Sequence, residues 1–519
     1  MLATGVLGGC SSKGPEFGTV GHVQGFLGGV AADEPRAVLV ARDVLSAGGT
    51  ATDAAVALYF ALSVTLPSAA SLGGGGTCVV FDQKSGRVEA LDFMAPAGAR
   101  AGRPGAVPRN PRGMFALHAK YGRLRWAQLV APAEKLARFG SSVSRALARP
   151  LAAAGSSLLA DREGRRVFAG SDGGPVREGD IIEQLDLAAV LSILRRAPGQ
   201  FYSGPFARQL VKAVRQAGGS LTIEELRSFA PQWKETLAVE FGYLTAHFAP
   251  TPAGLTAAQM WAALTQNRRY RREDEDARPH LFAEVAMRAF ADRGRWFGPL
   301  GGALAPLGDR VSSRGVRELM AGYRSDRHTP ARTLRAAPVQ RPENHTAASF
   351  VVADRDRQAV SCVFTLNNLF GAGRIAPGTG MVLPAAPSHG GLGASALASM
   401  LVINQNLYQL FFVAAASGGA AAPTAMVHVA LRVLVEKLTL EAAMSSRRLH
   451  HGGAPDQVFH ERGESPEKLA ALARRGHRTV ETPALGQVNA FSCPRGLESE
   501  ESLCQVKADP RGFGLDQQE

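Results

Sequence analysis

The chain has 519 residues, 45% hydrophobic and 20% charged, a balance that argues against a disordered or membrane-spanning protein and supplies ample material for a large core. Length alone suggests about three domains. The net charge of +13 raises nucleic acid or an anionic surface as a partner. The densest cluster, NRRYRREDEDAR from Asn267 to Arg278, sets a basic block against an acidic one and compensates itself. With no recognition motif beside it, no nucleic-acid partner is expected.

In chain order, residues 1–30 read as a leader. Cys10 follows VLGG and precedes SSKG, as at the end of a bacterial lipoprotein signal, so a lipid anchor at Cys10 and a periplasmic or cell-envelope location are expected. The bland reading is a Gly-rich terminus, since the apolar run is short and no basic segment precedes it. Asp33 to Gly49 carries acid and proline in a first turn, helical apolar spacing and a Gly-Gly stop. A second, buried helix is predicted from Asp53 to Leu66, too short to span a bilayer. SLGGGGTCVVFDQKSGRVEALDF (Ser71 to Phe93) predicts a hairpin entered through four glycines, a run that suits either close backbone approach or a flexible linker.

Residues 107–266 read as mostly helical, and 267–342 as an exposed, arginine-rich connector. Strands are expected at Ser349 to Ala353, Ala359 to Leu366, Ser399 to Ile403 and Leu410 to Ala415. A Ser-Gly-Gly turn at 417–419, an apolar helix at Pro423 to Lys437, two late strands and a helix near Ser465 to Arg475 complete the chain. Five cysteines are too few for a disulfide scaffold. Cys493 and Cys504 can pair in an oxidising compartment, whereas Cys78 and Cys362, in apolar runs, are expected to be inert core residues. No metal cluster, dinucleotide fingerprint or phosphate loop is legible. SLGGGGT leads into a strand without Lys-Ser or Lys-Thr, so neither cofactor nor metal is expected.

Chemistry turns on ENHTAASFVVADRDRQAVSCVFTLNN, from Glu343 to Asn368, where Thr346 either opens a strand or is a nucleophile. Around it, blocks such as AADEPRAVLVARDVLSAGGTATDAAVA, SLGGGGTCVVFDQKSGRVEALDF, GMFALHAKYGRLRWAQLVAPAEKLAR, TLNNLFGAGRIAPGTG, the SGG at 417, RRLHH at 447 and VKADPRG follow one another. In that order they resemble the γ-glutamyltransferase (γ-glutamyltranspeptidase) family from about Ala31 to Arg511.

The resemblance implies an α/β fold, the four-layer αββα sandwich of N-terminal-nucleophile hydrolases, with 31–345 and 346–519 as large- and small-subunit-like regions of one intertwined domain. It implies self-cleavage between His345 and Thr346, the two fragments staying associated, and Thr346 then acting as nucleophile with its freed amine as base. By the same resemblance Thr365 holds the nucleophile's oxygen, Gly418 and Gly419 form the oxyanion hole, and Asn367 and Ser399 bind substrate, a small amide or peptide.

The sequence departs from the family's pattern where substrate is gripped. Met94 stands in place of a carboxylate-binding arginine, His389 in place of an acidic residue, and Ala398-Ser399 in place of paired serines. Register is open too. Counting back from Ala359 without a gap puts Ala347 in the nucleophile slot, and one extra residue in the turn at Asp354 to Arg357 restores Thr346. Two readings result: a self-processing amidase or acyl transferase acting on γ-glutamyl compounds or an altered acyl amide, and a non-catalytic relative serving as a binding or structural envelope protein.

Overall fold

The computed structural model describes residues 26–94, 107–298, 302–334, 347–385, 397–497 and 503–519. Its strands, in chain order, are β1 (Gly28–Ala32), β2 (Gly75–Asp82), β3 (Arg87–Asp92), β4 (Ser141–Ser142), β5 (Ile181–Ile182), β6 (Gln232–Glu235), β7 (Leu237–Phe241), β8 (Leu244–Phe248), β9 (Ala347–Asp354), β10 (Ala359–Thr365), β11 (Ala398–Asn404), β12 (Gln409–Ser417), β13 (Leu449–His450), β14 (Val458–Glu461), β15 (Thr479–Thr482), β16 (Gln487–Ser492), β17 (Gln505–Lys507) and β18 (Leu515–Gln518). Two antiparallel sheets carry the fold, one ordered β18-β1-β9-β10-β2-β3-β6 and the other β17-β16-β12-β11-β8-β7. Both mix strands from before and after residue 346.

Alternation along the strands sorts the side chains into layers. In β9 and β10, Ala347, Val351, Ala353, Ala359 and Val363 face the second sheet, where they meet Leu401, Val413 and Phe491. Ala348, Phe350, Val352, Cys362 and Phe364 face helices on the other side. The second sheet's outer face, with Met400, Val402, Phe412 and Ala414, is covered by the helices Pro252–Thr265 and Ala422–Ala430. The result is a helix, sheet, sheet, helix sandwich, as expected.

Helices α1 (Pro35–Ser46) and α2 (Ala51–Thr65) lie under the first sheet. Every residue of α2 is buried, and its start is fixed by a capping box between Thr50 and Asp53. The glycine run is tightly packed, which excludes the flexible-linker reading. A Cβ at Gly74 would stand 2.6 Å from the Thr365 carbonyl oxygen, and one at Gly76 2.5 Å from that of Val363.

Four expectations need correction. Within the stretch read as helical, Gln232 to Phe248 forms β6, β7 and β8, which supply an edge to each sheet. The supposed connector contains the helix Arg278–Arg293, buried from Pro279 to Phe290, and its apolar period was masked because His280, Glu284 and Arg288 are buried and pair internally. Cys78 and Cys362 are opposite each other on β2 and β10 and form a disulfide, as do Cys493 and Cys504. Finally, β1 begins at Gly28, inside the segment read as leader. Cys10 lies outside the described residues, and among those described no helix is long and apolar enough to cross a membrane.

Candidate active site

One row of the first sheet places Thr365. Ala347 on β9 pairs with Thr365 on β10, and Thr365 pairs with Gly75 on β2. The Phe93 N–H bonds the Gly76 carbonyl at 3.0 Å, so Met94 follows at the same end of the sheet. Thr346 lies outside the described residues. Ala347 therefore sits directly across from Thr365, its methyl group turned into the layer between the sheets.

Register leaves little slack here. The turn closes by Asp354 N–H to the Gln358 carbonyl at 3.0 Å and Arg357 N–H to the Asp354 carbonyl at 3.1 Å, with Arg357 left-handed at φ 65°. This is a three-residue hairpin loop ending in a left-handed residue. Bringing the preceding residue opposite Thr365 requires a one-residue slip, which would turn Phe350 and Val352 into the inter-sheet layer and Val351 out of it.

Thr365 is buried, and its Oγ1 accepts the Asn367 N–H at 2.9 Å. Asn367 adopts φ 67° and donates from its side-chain Nδ2 to the Ala385 carbonyl at 2.9 Å. On the facing sheet Ser399 is fully buried, and by alternation with Leu397 and Leu401 it points between the sheets. Its Oγ has no hydrogen-bond partner among the described residues. Ala398 faces the helix layer instead, so only one hydroxyl of the expected pair position is directed inward.

Gly418 and Gly419 follow β12 with φ of 94° and 73°, just before the helix Ala422–Ala430. A Cβ at Gly418 would lie 2.6 Å from the Gly486 Cα. Arg448, fully buried, secures that loop by donating to the Leu485 and Gly486 carbonyls at 3.2 and 2.9 Å and to Asp509 at 2.6 Å. Backbone N–H groups at a helix entrance suit a developing oxyanion.

Met94 is half-buried against the inter-sheet core. Its carbonyl accepts from Arg109 Nη1 at 2.7 Å, and the Arg109 guanidinium lies over the Phe229 ring at 4.4 Å. Burial pulls the Arg109 pKa down to about 10. Met94 itself offers no charge. His389 lies outside the described residues.

One group escaped the sequence reading. Asp33 was read as part of a helix start, but Glu34 caps α1, accepting the Ala37 N–H at 2.8 Å. Asp33 instead turns between the sheets, where it accepts from Asn489 Nδ2 (2.6 Å), the Ser349 N–H (2.8 Å) and Ser417 Oγ (3.1 Å). Burial raises its pKa to about 6 against the opposing pull of those donors. The network ties β9, two residues from Ala347, to the residue preceding Gly418. Only tertiary pairing reveals it, because its members are spread from residue 33 to residue 489.

With this geometry in hand, likeness to known proteins is informative. A family profile described as Gamma-glutamyltranspeptidase matches residues 37–387 and 393–516. The Glutathione hydrolase proenzyme of Escherichia coli K12 is 28% identical over 528 aligned positions, covering 92% of this chain and 90% of the relative. The crystal structure of cephalosporin acylase from Bacillus halodurans superposes with a TM-score of 0.79 at 22% identity, covering 95% of this chain and 96% of that one, a likeness of fold. Helicobacter pylori gamma-Glutamyltranspeptidase gives a TM-score of 0.52 at 27% identity over 57% of this chain and 92% of that one. The αββα sandwich is thus that of the N-terminal-nucleophile hydrolases, and the chain belongs to the γ-glutamyltranspeptidase family of enzymes.

Proposed function

We propose that this protein is an acyl-transferring amidase of the γ-glutamyltranspeptidase type, acting on a small amide whose acyl group is less polar than a free glutamyl group. What supports this reading is the family match over residues 37–387 and 393–516, with Thr365 buried at the end of β10, Ser399 buried with its Oγ lacking a hydrogen-bond partner among the described residues, and the uncharged Met94 where the family resemblance implies a charged grip. Thr346 is the nucleophile in this reading. Its hydroxyl attacks the amide carbonyl as its α-amine takes the proton, the two glycine N–H groups hold the oxyanion, collapse breaks the C–N bond and releases the amine with that proton, and water or another amine then takes up the acyl group. That α-amine exists only after cleavage at His345–Thr346. Two disulfides support a cell-envelope location.

A second reading has its own observation. Ala347, not a hydroxyl residue, occupies the position across from Thr365, and a chain with no nucleophile there stays whole and serves as a binding or structural protein.

A denaturing gel with N-terminal sequencing distinguishes them. The first reading expects a fragment beginning TAASFVV, lost in Thr346→Ala together with turnover of amide substrates. An intact chain that Ala347→Thr renders self-cleaving would overturn it and establish the second. Within the first reading, Met94→Arg should lower KM for a γ-glutamyl anilide, and an unchanged KM would contradict the account of the missing grip.

A further inference from the structure

Away from the sheets' catalytic end, four histidines meet where separate pieces of chain converge. His280 comes from the helix Arg278–Arg293, His328 from the segment that runs towards residue 334, His451 from the end of β13 and His477 from the turn before β15. The ring centroids of His328 and His477 are 4.4 Å apart, those of His280 and His477 5.0 Å, and those of His328 and His451 5.9 Å. One ring nitrogen from each of His328, His451 and His477 lies within 4.8 Å of the others.

The hydrogen bonds fix where protons sit. His280 Nε2 meets the Arg324 carbonyl at 2.8 Å, and a carbonyl only accepts, so that nitrogen carries the proton. Neutral His280 then accepts at Nδ1 from His477 Nε2, 2.8 Å away. His477 Nδ1 is left with a bare lone pair, buried and without a hydrogen-bond partner among the described residues. His328 is held by carboxylates on both sides, Nδ1 by Glu284 at 2.8 Å and Nε2 by Asp456 at 2.9 Å. The same Asp456 oxygen is 3.3 Å from His451 Nε2. A buried lone pair beside a cluster of histidines and carboxylates is costly unless something electrophilic meets it.

We propose that His328, His451 and His477, with Asp456 as fourth donor, form a binding site for a divalent transition metal of the zinc class. Three imidazoles and one carboxylate suit such an ion and do not suit Mg2+ or Ca2+, which take oxygen ligands. The surroundings have the form that metal-bound histidines require, Glu284 orienting His328 through its other nitrogen and His280 doing the same for His477. Binding releases the Nε2 proton of His328 to solvent. In His451 the Nε2 proton moves to Nδ1, which gives up the 3.1 Å bond it accepts from the Gly453 N–H.

The role is structural. The ion fastens the segment carrying His328, already pinned by the Thr329 N–H to Glu284 and the Ala331 N–H to Asp456, onto three other elements.

The test uses the full chain without an affinity tag, stripped with a chelator and titrated with Zn2+ and, separately, Co2+. The expected result is uptake of a single equivalent, the visible absorption of four-coordinate Co2+, and a higher Tm with Zn2+. Glu284→Gln, which weakens the orienting partner of His328 and also touches the Thr329 N–H and Arg288, should weaken Zn2+ binding about 10- to 100-fold. Asp456→Asn, at a partly exposed position that leaves the core untouched, should also weaken it. A stripped wild-type chain that takes up no Zn2+, or takes it up as tightly as a His451→Ala/His477→Ala double variant does, overturns the proposal. The wild-type titration decides even where a variant fails to fold.

Discussion

At the scale of single residues, two carboxylates, the half-buried Asp33 and the buried Asp354, leave a readable mark on stability. Asp33 is raised to about 6 and Asp354 to about 7, in both cases by burial, which disfavours the charged form. A carboxyl whose folded pKa exceeds its unfolded value binds its proton more tightly when folded. Its stabilising share is complete below the ordinary value of 3.8 and disappears as pH climbs through the folded value. For Asp33 the loss is on the order of 3 kcal/mol. Stability should therefore fall between about pH 4 and pH 7, and Asp33→Asn should flatten that fall. Urea unfolding midpoints of the two proteins across that range check it, and identical slopes would show that Asp33 does not titrate as described. The sequence marked Asp33 only as an acid near a helix start. Its partners Ser349, Ser417 and Asn489 arrive from distant strands, so no local pattern pointed to them.

At the scale of elements, the β9–β10 hairpin is where sequence and structure meet most directly. Both strands were legible because their β-branched and aromatic residues lie between turn residues. Their register was not, because it depends on how the turn closes. Arg357 takes the left-handed conformation the three-residue loop requires, at a cost any residue with a Cβ incurs. Arg357→Gly is expected to raise stability by about 0.5–1 kcal/mol without moving the register, measured by chemical denaturation. A destabilised variant would mean that the Arg357 side chain contributes more than its backbone costs. The helix Arg278–Arg293 shows the converse failure. Its sequence looked like a solvated connector because charged residues stand on its buried surface, where Glu284 and Arg288 satisfy each other and Glu284 also meets His328. Polarity in sequence signals exposure only when buried partners are absent.

At the scale of the whole molecule, strands from both sides of residue 346 are interleaved in each sheet, so neither side completes a sheet by itself. Long-range ties reinforce this. The Cys78–Cys362 bridge joins residues 284 apart in sequence across neighbouring strands, and Cys493–Cys504 closes a short loop beside the inter-sheet core. Replacing Cys493 and Cys504 with serine should cost about 2–3 kcal/mol, since the chain entropy released in the unfolded state scales with the closed loop. Thermal unfolding with and without a reductant checks this, and equal Tm values for the variant and the oxidised parent would show that the bridge adds no stability.

By itself the sequence marked many of the strands and helices, and its motif blocks carried the family resemblance that implied the layered fold. The elements depend on local spacing, period-two and helical apolar patterns, while the resemblance rests on motif blocks in a fixed order. It also placed the uncharged Met94 where the resemblance implies a carboxylate-binding arginine, and residue type alone decides whether a side chain can hold a carboxylate. Tertiary structure decided which residue stands across from Thr365, which cysteines pair, where Asp33 turns and how four histidines from distant segments come together. Each of those is a pairing between residues far apart in the chain, fixed by sheet register and layer packing, and no window of neighbouring residues contains that information.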